Sequence, residues 1–246
     1  MAARAIRSLD VLDVILARRS ARVPFDPRRK VPAEHLMRIL EGARWAPTAH
    51  NMQNFEIVVV DDRATLEALA EVRTEPSEVF IEENRAQLSG SEDELKRRKR
   101  GLLADMFPPS WRTHDGPHAI GEHAYSILGA PIRNCAALLV VLHDASKRAP
   151  ASEGDALGMM SLGCVMENMW LVAQSLGVGF QVQSGLGAPR VEADVRRLLS
   201  IPAPWRVGFA ARIGYPAVEP TTLRVRRDVE DFTHHDRFGA RFPRRK

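Results

Sequence analysis

The feature that most constrains this chain is one long apolar segment in its second half. Over residues 155 to 176 apolar side chains recur at helical spacing, and Gly177 stands where the helix would end. The apolar face is wide, which predicts that the helix is mostly buried. A chain of 246 residues with 45% hydrophobic and 27% charged side chains is long enough to supply the core for it. The apolar stripe consists of Leu162, Val165, Met169, Val172 and Leu176.

Shorter helical and β-branched segments surround this helix. Ser8 caps a first helix that ends near Arg18, and Pro32 occupies the first position of a second helix that Pro47 stops. Irregular crossovers between these segments favour an α+β fold with a central mixed or antiparallel sheet flanked by helices. Further helices are predicted at 64–72, 92–98 and 191–199, and strands at 55–60, 135–143, 178–183 and 206–214.

The net charge of +4 is unevenly distributed. Residues 1–30 carry a net charge of +5 and residues 221–246 one of +4, so the stretch between them is acidic. Taken alone, two basic ends point to nucleic acid, a membrane surface or an acidic partner. The most basic run, KRRKR at residues 96–100, follows Glu92, Asp93 and Glu94, and this spacing favours an exposed, salt-bridged helix over nucleic-acid binding.

The cysteines and the histidine cluster do not have the spacing of a disulfide or metal site. Cys135 and Cys164 have no partners at ligand spacing and are interpreted as small core residues of a cytoplasmic protein. The longest uninterrupted apolar run, residues 135–142, is shorter than a membrane span, and no membrane association is predicted. No metal is predicted, because glycines and a proline interrupt the cluster formed by His114, Asp115, His118 and His123. Core filling is predicted for Met159, Met160, Met166 and Met169.

Two basic segments have the chemistry to bind a phosphate. The stretch RRSAR at residues 18–22 places three guanidinium groups and a hydroxyl just after the first helix. Guanidinium groups match phosphate oxygens in a bidentate manner, and a solvated basic turn is the alternative. After the last strand, Arg224 and Arg226 would point to the same side of an extended segment.

A polar turn joins the second helix to the first strand. Residues 46–55 read APTAHNMQNF and offer several amide groups and a hydroxyl. Amides donate and accept hydrogen bonds, so they suit the edge of a heterocycle, although amide-rich turns are also common in proteins without such a ligand.

The order of these segments resembles that of the FMN-dependent nitroreductase family. Five motifs occur in the family's order over nearly the whole chain apart from residues 75–130. They are RRSAR at 18–22, APTAHNMQ at 46–53, LGVG at 176–179 followed by QSG at 183–185, IGYP at 213–216, and HHDRF at 234–238. The resemblance implies a single domain over residues 1–246, with residues 75–130 as an irregular lid. It also implies an intertwined homodimer with FMN at the interface, on which residues 221–246 pack as an extension.

The resemblance also assigns roles to individual residues. The FMN phosphate would be held by Arg18, Arg19, Ser20, Arg224 and Arg226. The isoalloxazine ring would be lined by Pro47, Thr48, Ala49, Asn51 and Gln53. Arg22 would lie toward the ribityl and pyrimidine side of the flavin. Gln183, Ser184 and Gly185 would cover the other end of the ring. Residues 75–105 could add a further flavin ligand, and Phe107 or Trp111 in the lid would line the substrate pocket.

The activity implied by the resemblance is transfer of hydride from NADH or NADPH through flavin N5 to a small acceptor such as a nitroaromatic or quinone. Arg22 and Ser184 are the candidate catalytic residues. Arg22 would stabilise negative charge on the reduced ring, and a backbone N–H of the turn that holds Ser184 would meet N5. The alternatives are a specialised relative, such as a dehalogenase, a flavin-destroying enzyme or a peptide or heterocycle dehydrogenase, or a basic interaction module without flavin.

Overall fold

The computed structural model describes most of the chain outside the irregular middle. The described residues are 11–72, 92–97, 129–150, 152, 154–220, 226 and 228–240. The chain divides into two compact units, one of residues 1–75 and 123–220 and the other of residues 76–122 and 221–246. The single domain predicted over the whole chain, with its lid and its C-terminal extension, stays a prediction.

Helices and strands alternate along the first unit, and two short helices belong to the second. In chain order the elements are α1 (Val11–Ala17), α2 (Ala33–Arg44), β1 (Phe55–Val60), α3 (Arg63–Ala70), α4 (Glu92–Arg97), β2 (Ala137–Asp144), α5 (Ala156–Ser175), β3 (Gly179–Val182), α6 (Pro189–Leu198), β4 (Trp205–Gly214) and α7 (Val229–Phe232). The second unit contains α4 and α7. Single 3₁₀ turns lie at Ala49–Asn51 and Ser184–Gly187.

The sheet has four described strands in the order β1-β2-β4-β3, and each neighbouring pair is antiparallel. The fold is therefore α+β, as the sequence predicts. The register of β2 against β4 shifts between Val141 and Leu142, so that Gly208 is the extra residue of a β-bulge. A Cβ at Gly208 would lie 2.8 Å from Leu162 Cδ1, and a side chain there would push against α5.

Each face of the sheet supports its own core because side chains alternate along β2. Leu138, Val140 and Leu142 pack with residues of α3 and α6 on one face. Leu139 and Val141 pack with residues of α2 and α5 on the other. The sheet is therefore covered by helices on both faces, with β3 at one edge.

Within the described residues, α5 is the one helix with the length and hydropathy of a membrane span. Its most apolar 18-residue stretch has a mean hydropathy of 1.3. Val165, Met169 and Ala173 are fully buried against the sheet, and the core helix of a globular protein has the same composition.

Two sequence predictions about side chains need correction. Met159 and Met160 were expected in the core, but both are exposed, because Gly158, Ser161 and Leu162 form the buried side of the same turn of α5. Pro32 was expected as the first helical residue, whereas it precedes α2 as the N-cap with an extended ψ of 144°. The proline ring fixes φ near the helical value but leaves ψ unrestricted, so Pro32 also fits the cap.

A buried carboxylate joins α6 to the start of β4. Glu192 accepts a hydrogen bond from Arg206 Nε at 2.6 Å, a second from Arg206 Nη2, and one from the Val207 amide at 3.0 Å. The hydrogen bonds from Arg206, more than that from Val207, hold the pKa of Glu192 below its ordinary value of 4.5. This pair therefore favours the folded state only while the carboxylate is ionised.

We predict that Glu192→Gln weakens the dependence of stability on acidic pH. Because the folded state lowers the pKa, the stabilisation is complete above about 4.5, the unfolded value, and is lost as the pH falls through the lower folded value. Urea denaturation between neutral pH and about pH 3 should show a shallower decline for the variant than for the wild type. Asp194→Asn, in an exposed ion pair on the same helix, is the matched control. Equal slopes for wild type and Glu192→Gln would contradict the prediction.

Candidate functional site

The basic segment at residues 18–22 wraps around the edge of the sheet. It begins directly after α1, where the Arg18 amide donates to Val14 O at 2.9 Å. The Ala21 amide then donates to Phe180 O of the edge strand β3 at 3.1 Å. The segment thus covers the open edge of β3, which would otherwise present unpaired backbone groups.

A buried arginine of β4 holds the backbone of this segment through hydrogen bonds. Arg212 Nη2 donates to Ala21 O at 3.0 Å and to Val23 O at 2.7 Å, while its Nε donates to Gln181 Oε1 at 2.7 Å. Its Nη1 donates to Pro131 O at 3.3 Å. The guanidinium is buried, and its described hydrogen-bond acceptors are three backbone carbonyls and one amide, all uncharged. Burial lowers the pKa of Arg212 to about 10, so the group stays a cation at neutral pH.

Two glycines of the sequence motifs make room for the ring of Phe25, which also lies against Arg212. Gly179 and Gly214 lie opposite each other in the register of β3 and β4, and Phe25 packs against both. A Cβ at Gly214 would lie 2.8 Å from Phe25 Cδ2, and one at Gly179 would lie 3.0 Å from Phe25 Cε1. The Arg212 guanidinium lies 4.0 Å from the centre of the same ring. The glycines of the LGVG and IGYP motifs therefore let the basic segment lie flat on the sheet.

The two leading arginines of the segment make different contacts. Arg18 lies over the ring of Trp170 at 4.4 Å, and its Nε is 3.3 Å from Glu167 Oε1. Arg19 donates to the carbonyl of Pro220, four residues before Arg224. Ser20 and Arg22 are half-buried.

The turn after β3 lies on the same strand as this basic segment. The Gln183 amide donates to Ala210 O at 2.7 Å, and Ser184 begins the 3₁₀ turn with an exposed side chain. Gln183 is three residues beyond Phe180, or about 10 Å along a strand. A Cβ at Gly185 would have no atom within 4 Å, so open space adjoins this backbone. The structure thus brings the basic segment and the 183–185 turn together along one strand.

The amide turn is held in a strained conformation. His50, Asn51 and Gln53 all have positive φ, at 51°, 52° and 45°, which costs non-glycine residues on the order of 1 kcal/mol each. Thr48 Oγ1 accepts from the Gln53 amide at 3.1 Å, and Gln53 Nε2 donates to Asn51 Oδ1 at 3.0 Å. These bonds fix the turn while the side chains of Asn51 and Gln53 stay exposed.

The amide turn is anchored to α5 at a different point from the basic segment. The Ala49 amide donates to Ser161 Oγ at 3.0 Å, whereas Trp170 Nε1 donates to Arg19 O at 3.3 Å. Ser161 and Trp170 are nine residues apart, or about 14 Å along the helix. Within one chain, α5 therefore separates the amide turn, with Pro47 beside it, from the basic segment.

Several predicted residues fall outside this geometry. Arg224, Phe107 and Trp111 lie outside the described residues, as does the histidine cluster at 114–123. The same holds for the predicted flavin segment 75–105, apart from residues 92–97. Arg226 is an exposed residue of the second unit. Among the described residues, no group of three or more histidine, cysteine, aspartate or glutamate side chains could hold a metal ion. Burial raises the pKa of Cys135 to about 11, so its thiol stays protonated.

Sequence reasoning missed Arg212, Trp170 and Glu167. One signal was available for two of them. Arg212 interrupts the apolar run of residues 207–213 in β4, and Glu167 is the single charged residue of the 20-residue helix α5. A charge in such a pattern indicates a specific buried or half-buried partner.

The comparisons with known proteins agree with this geometry. The family model of the nitroreductase family matches residues 15–215. The chain therefore belongs to the nitroreductase family. Among curated proteins none matches the sequence significantly.

Solved structures with the same fold cover nearly the whole chain. A nitroreductase with bound FMN from Bacteroides fragilis is 21% identical, covers 93% of this chain and 100% of its own, and has a TM-score of 0.58. An FMN-dependent nitroreductase from Clostridium difficile is 18% identical, with coverages of 92% and 99% and a TM-score of 0.60. An NADPH:FMN oxidoreductase from Vibrio harveyi, complexed with NAD⁺, is 21% identical, with coverages of 93% and 77% and a TM-score of 0.58.

We predict that Arg212→Met destabilises the fold by about 3 to 5 kcal/mol, because methionine fills the space but leaves buried acceptors without a donor. Urea denaturation followed by circular dichroism measures the change in the free energy of unfolding. Arg38→Met on α2, an exposed position, is the control and should stay within about 0.5 kcal/mol of the wild type. An Arg212→Met protein as stable as this control would show that the buried guanidinium does not fasten the basic segment.

Proposed function

We propose that this protein is an FMN-dependent oxidoreductase that uses NADH or NADPH to reduce a small acceptor such as a nitroaromatic or a quinone. The observation that carries the proposal is the basic segment fixed beside the 183–185 turn along the edge strand β3. Family membership supports it, as do similar structures described as FMN-bound and as an NADPH:FMN oxidoreductase.

The described residues fit a flavin phosphate at one end of this site. Arg18 Nε is buried and has no hydrogen-bond partner among the described residues, so its N–H can donate to an anionic oxygen. Ser20 adds a hydroxyl in the same segment. Arg19 donates to the carbonyl of Pro220, which precedes Arg224 and Arg226 by four and six residues in the sequence. The proposal assigns the phosphate to these arginines and to Ser20.

The described residues also fit the ring end. The open space beside Gly185 leaves the backbone of the 183–185 turn accessible to a planar ligand. Bound FMN would supply the two-electron chemistry that links a nicotinamide to an acceptor. Arg22 would provide a cation for the pyrimidine side, and a backbone N–H of the turn at Ser184 would provide a donor near the reacting atom.

The amide turn completes the site from a second copy of the chain. Pro47, Thr48, Ala49, Asn51 and Gln53 are held apart from the basic segment within one chain, and their strained turn keeps the amides oriented outward. A homodimer that pairs this turn with the basic segment of the partner would assemble both halves of one site. Each of the two equivalent sites of the dimer would then carry a complete set of ligands.

Exposed apolar surface supports such a dimer. Helix α1 buries none of its residues, and its apolar side chains Val11, Leu12, Ile15 and Leu16 are 41% to 65% exposed. A second exposed apolar group consists of Met37 and Trp45, on and just after α2, and Met159 and Met160 on α5. Apolar side chains exposed on helices in this way are typical of protein interfaces.

Purified protein is expected to be yellow and to release FMN on heating. NADH or NADPH added without oxygen should bleach the flavin, and a nitroaromatic or quinone should restore its colour. Absorbance at about 450 nm, where oxidised flavin absorbs, follows both changes. Colourless protein that takes up no added FMN would contradict the proposal, and flavin that neither nicotinamide reduces would favour a specialised relative.

Arg18→Met should weaken FMN binding to the apoprotein by about tenfold or more, since hydrogen bonds to charged groups contribute about 1.5 to 3 kcal/mol. Riboflavin, which lacks the phosphate, should bind the variant and the wild type equally. Quenching of flavin fluorescence measures both affinities, with Arg38→Met as the control. Equal losses for FMN and riboflavin would place Arg18 away from the phosphate.

The dimer is tested by light scattering after gel filtration. The wild type should have twice the mass of one chain, and Leu16→Glu should shift it toward the monomer because a charge would be buried at the interface. Val218→Glu, at an exposed apolar position outside both groups, should leave the mass unchanged. A monomeric wild type would overturn this part of the proposal.

A further inference from the structure

Arg18 is held between an aromatic ring and a carboxylate, both on α5. Its guanidinium lies 4.4 Å from the centre of the Trp170 ring, and its Nε lies 3.3 Å from Glu167 Oε1. The Arg18 side chain is 19% exposed, whereas that of Glu167 is 41% exposed. The cation is thus mostly enclosed, and the carboxylate is the more exposed of the two groups.

Trp170 fixes the position of this cation. Its ring stacks on Phe180 of β3 with centroids 5.2 Å apart, and its Nε1 donates to Arg19 O at 3.3 Å. One indole therefore contacts the edge strand, the backbone of the basic segment and the guanidinium of Arg18. Arg18 cannot leave this position without losing the stacking, so an anion that binds its Nε must approach the place where Glu167 lies.

Glu167 is unusual for its surroundings. It is the single charged residue in α5, whose other side chains are apolar or uncharged. Its carboxylate lies near Arg18 Nε, yet the two groups form no hydrogen bond of normal geometry, and Arg18 Nε has none with any described residue. A weakly engaged carboxylate beside an enclosed guanidinium is readily displaced by a stronger acceptor.

We propose that Glu167 is an internal competitor for the FMN phosphate at Arg18. This inference rests on the proposed function, because it assigns the phosphate to Arg18. In the apoprotein the carboxylate neutralises Arg18. When FMN binds, the phosphate takes the guanidinium, and Glu167 turns toward solvent, for which its partial exposure leaves room. Glu167 thereby lowers the affinity for flavins that carry a phosphate and leaves the affinity for the ring itself unaffected.

The test compares FMN with riboflavin in binding to the apoprotein. Glu167→Gln keeps the size of the side chain and removes its charge. It should tighten FMN binding about three- to tenfold, the range expected for a partly exposed charge beside the ligand, and leave riboflavin binding unchanged. Titrations followed by flavin fluorescence at low ionic strength measure both constants without reliance on turnover.

Two further variants sharpen the test. Asp194→Asn removes one negative charge from an exposed ion pair on α6 and should change neither affinity. Glu167→Asp withdraws the carboxylate from Arg18 by one methylene and should tighten FMN binding by a smaller factor than Glu167→Gln. It also tests the proposal independently if the glutamine variant fails to fold.

The outcomes separate this inference from the proposed function. Wild-type apoprotein that binds neither flavin would overturn the proposed function itself. FMN binding that is unchanged or weaker in Glu167→Gln would overturn only the inference, since Glu167 would then be neutral or would position Arg18. An equal gain for riboflavin and FMN would also overturn it, because the effect would not depend on the phosphate.

Discussion

The buried guanidinium of Arg212 is the interaction on which the candidate site depends. A cation enclosed in protein is stable only when its N–H groups are satisfied, and here the partners are Gln181 and the carbonyls of residues 21, 23 and 131. These acceptors come from parts of the chain that are far apart in sequence. One side chain therefore sets the path of the basic segment across the edge of β3, and this path places Arg18 against α5.

Much of the framework could be predicted because its signals are local. The strand Phe55–Val60 is predicted to the residue, since a β-branched run is bounded by two aspartates. The hydrogen bonds from Arg212 to the carbonyls of residues 21 and 23 could not be predicted, because every residue has a backbone carbonyl and the side-chain pattern does not show which of them are bound. The exposure of Met159 and Met160 escaped prediction for a different reason. Apolar residues lie on nearly every side of α5, so the sequence does not mark which side is exposed.

The structure also gives a physical reason for particular residues in two of the sequence motifs. The glycines at 179 and 214 are needed because Phe25 lies against both, which seats the basic segment on the sheet. The amide turn is different, since it stores strain at three residues with positive φ. Strain of this kind persists only where the surroundings hold it, and here Thr48 and Ser161 do so through backbone amides. One motif serves close packing and the other keeps polar groups oriented.

Edge protection and ligand binding are coupled in this arrangement. The segment that covers the open edge of β3 is also the one proposed to hold the phosphate, so any ligand that binds its cations favours the covered edge. A ligand that binds the folded state alone stabilises it in proportion to the logarithm of its concentration over its dissociation constant. Without a ligand, Trp170 and Arg212 hold the same segment from opposite faces of the sheet. The contact of Glu167 with Arg18 then reduces the repulsion among the arginines. Internal contacts thus maintain the segment in a conformation that an anion can enter.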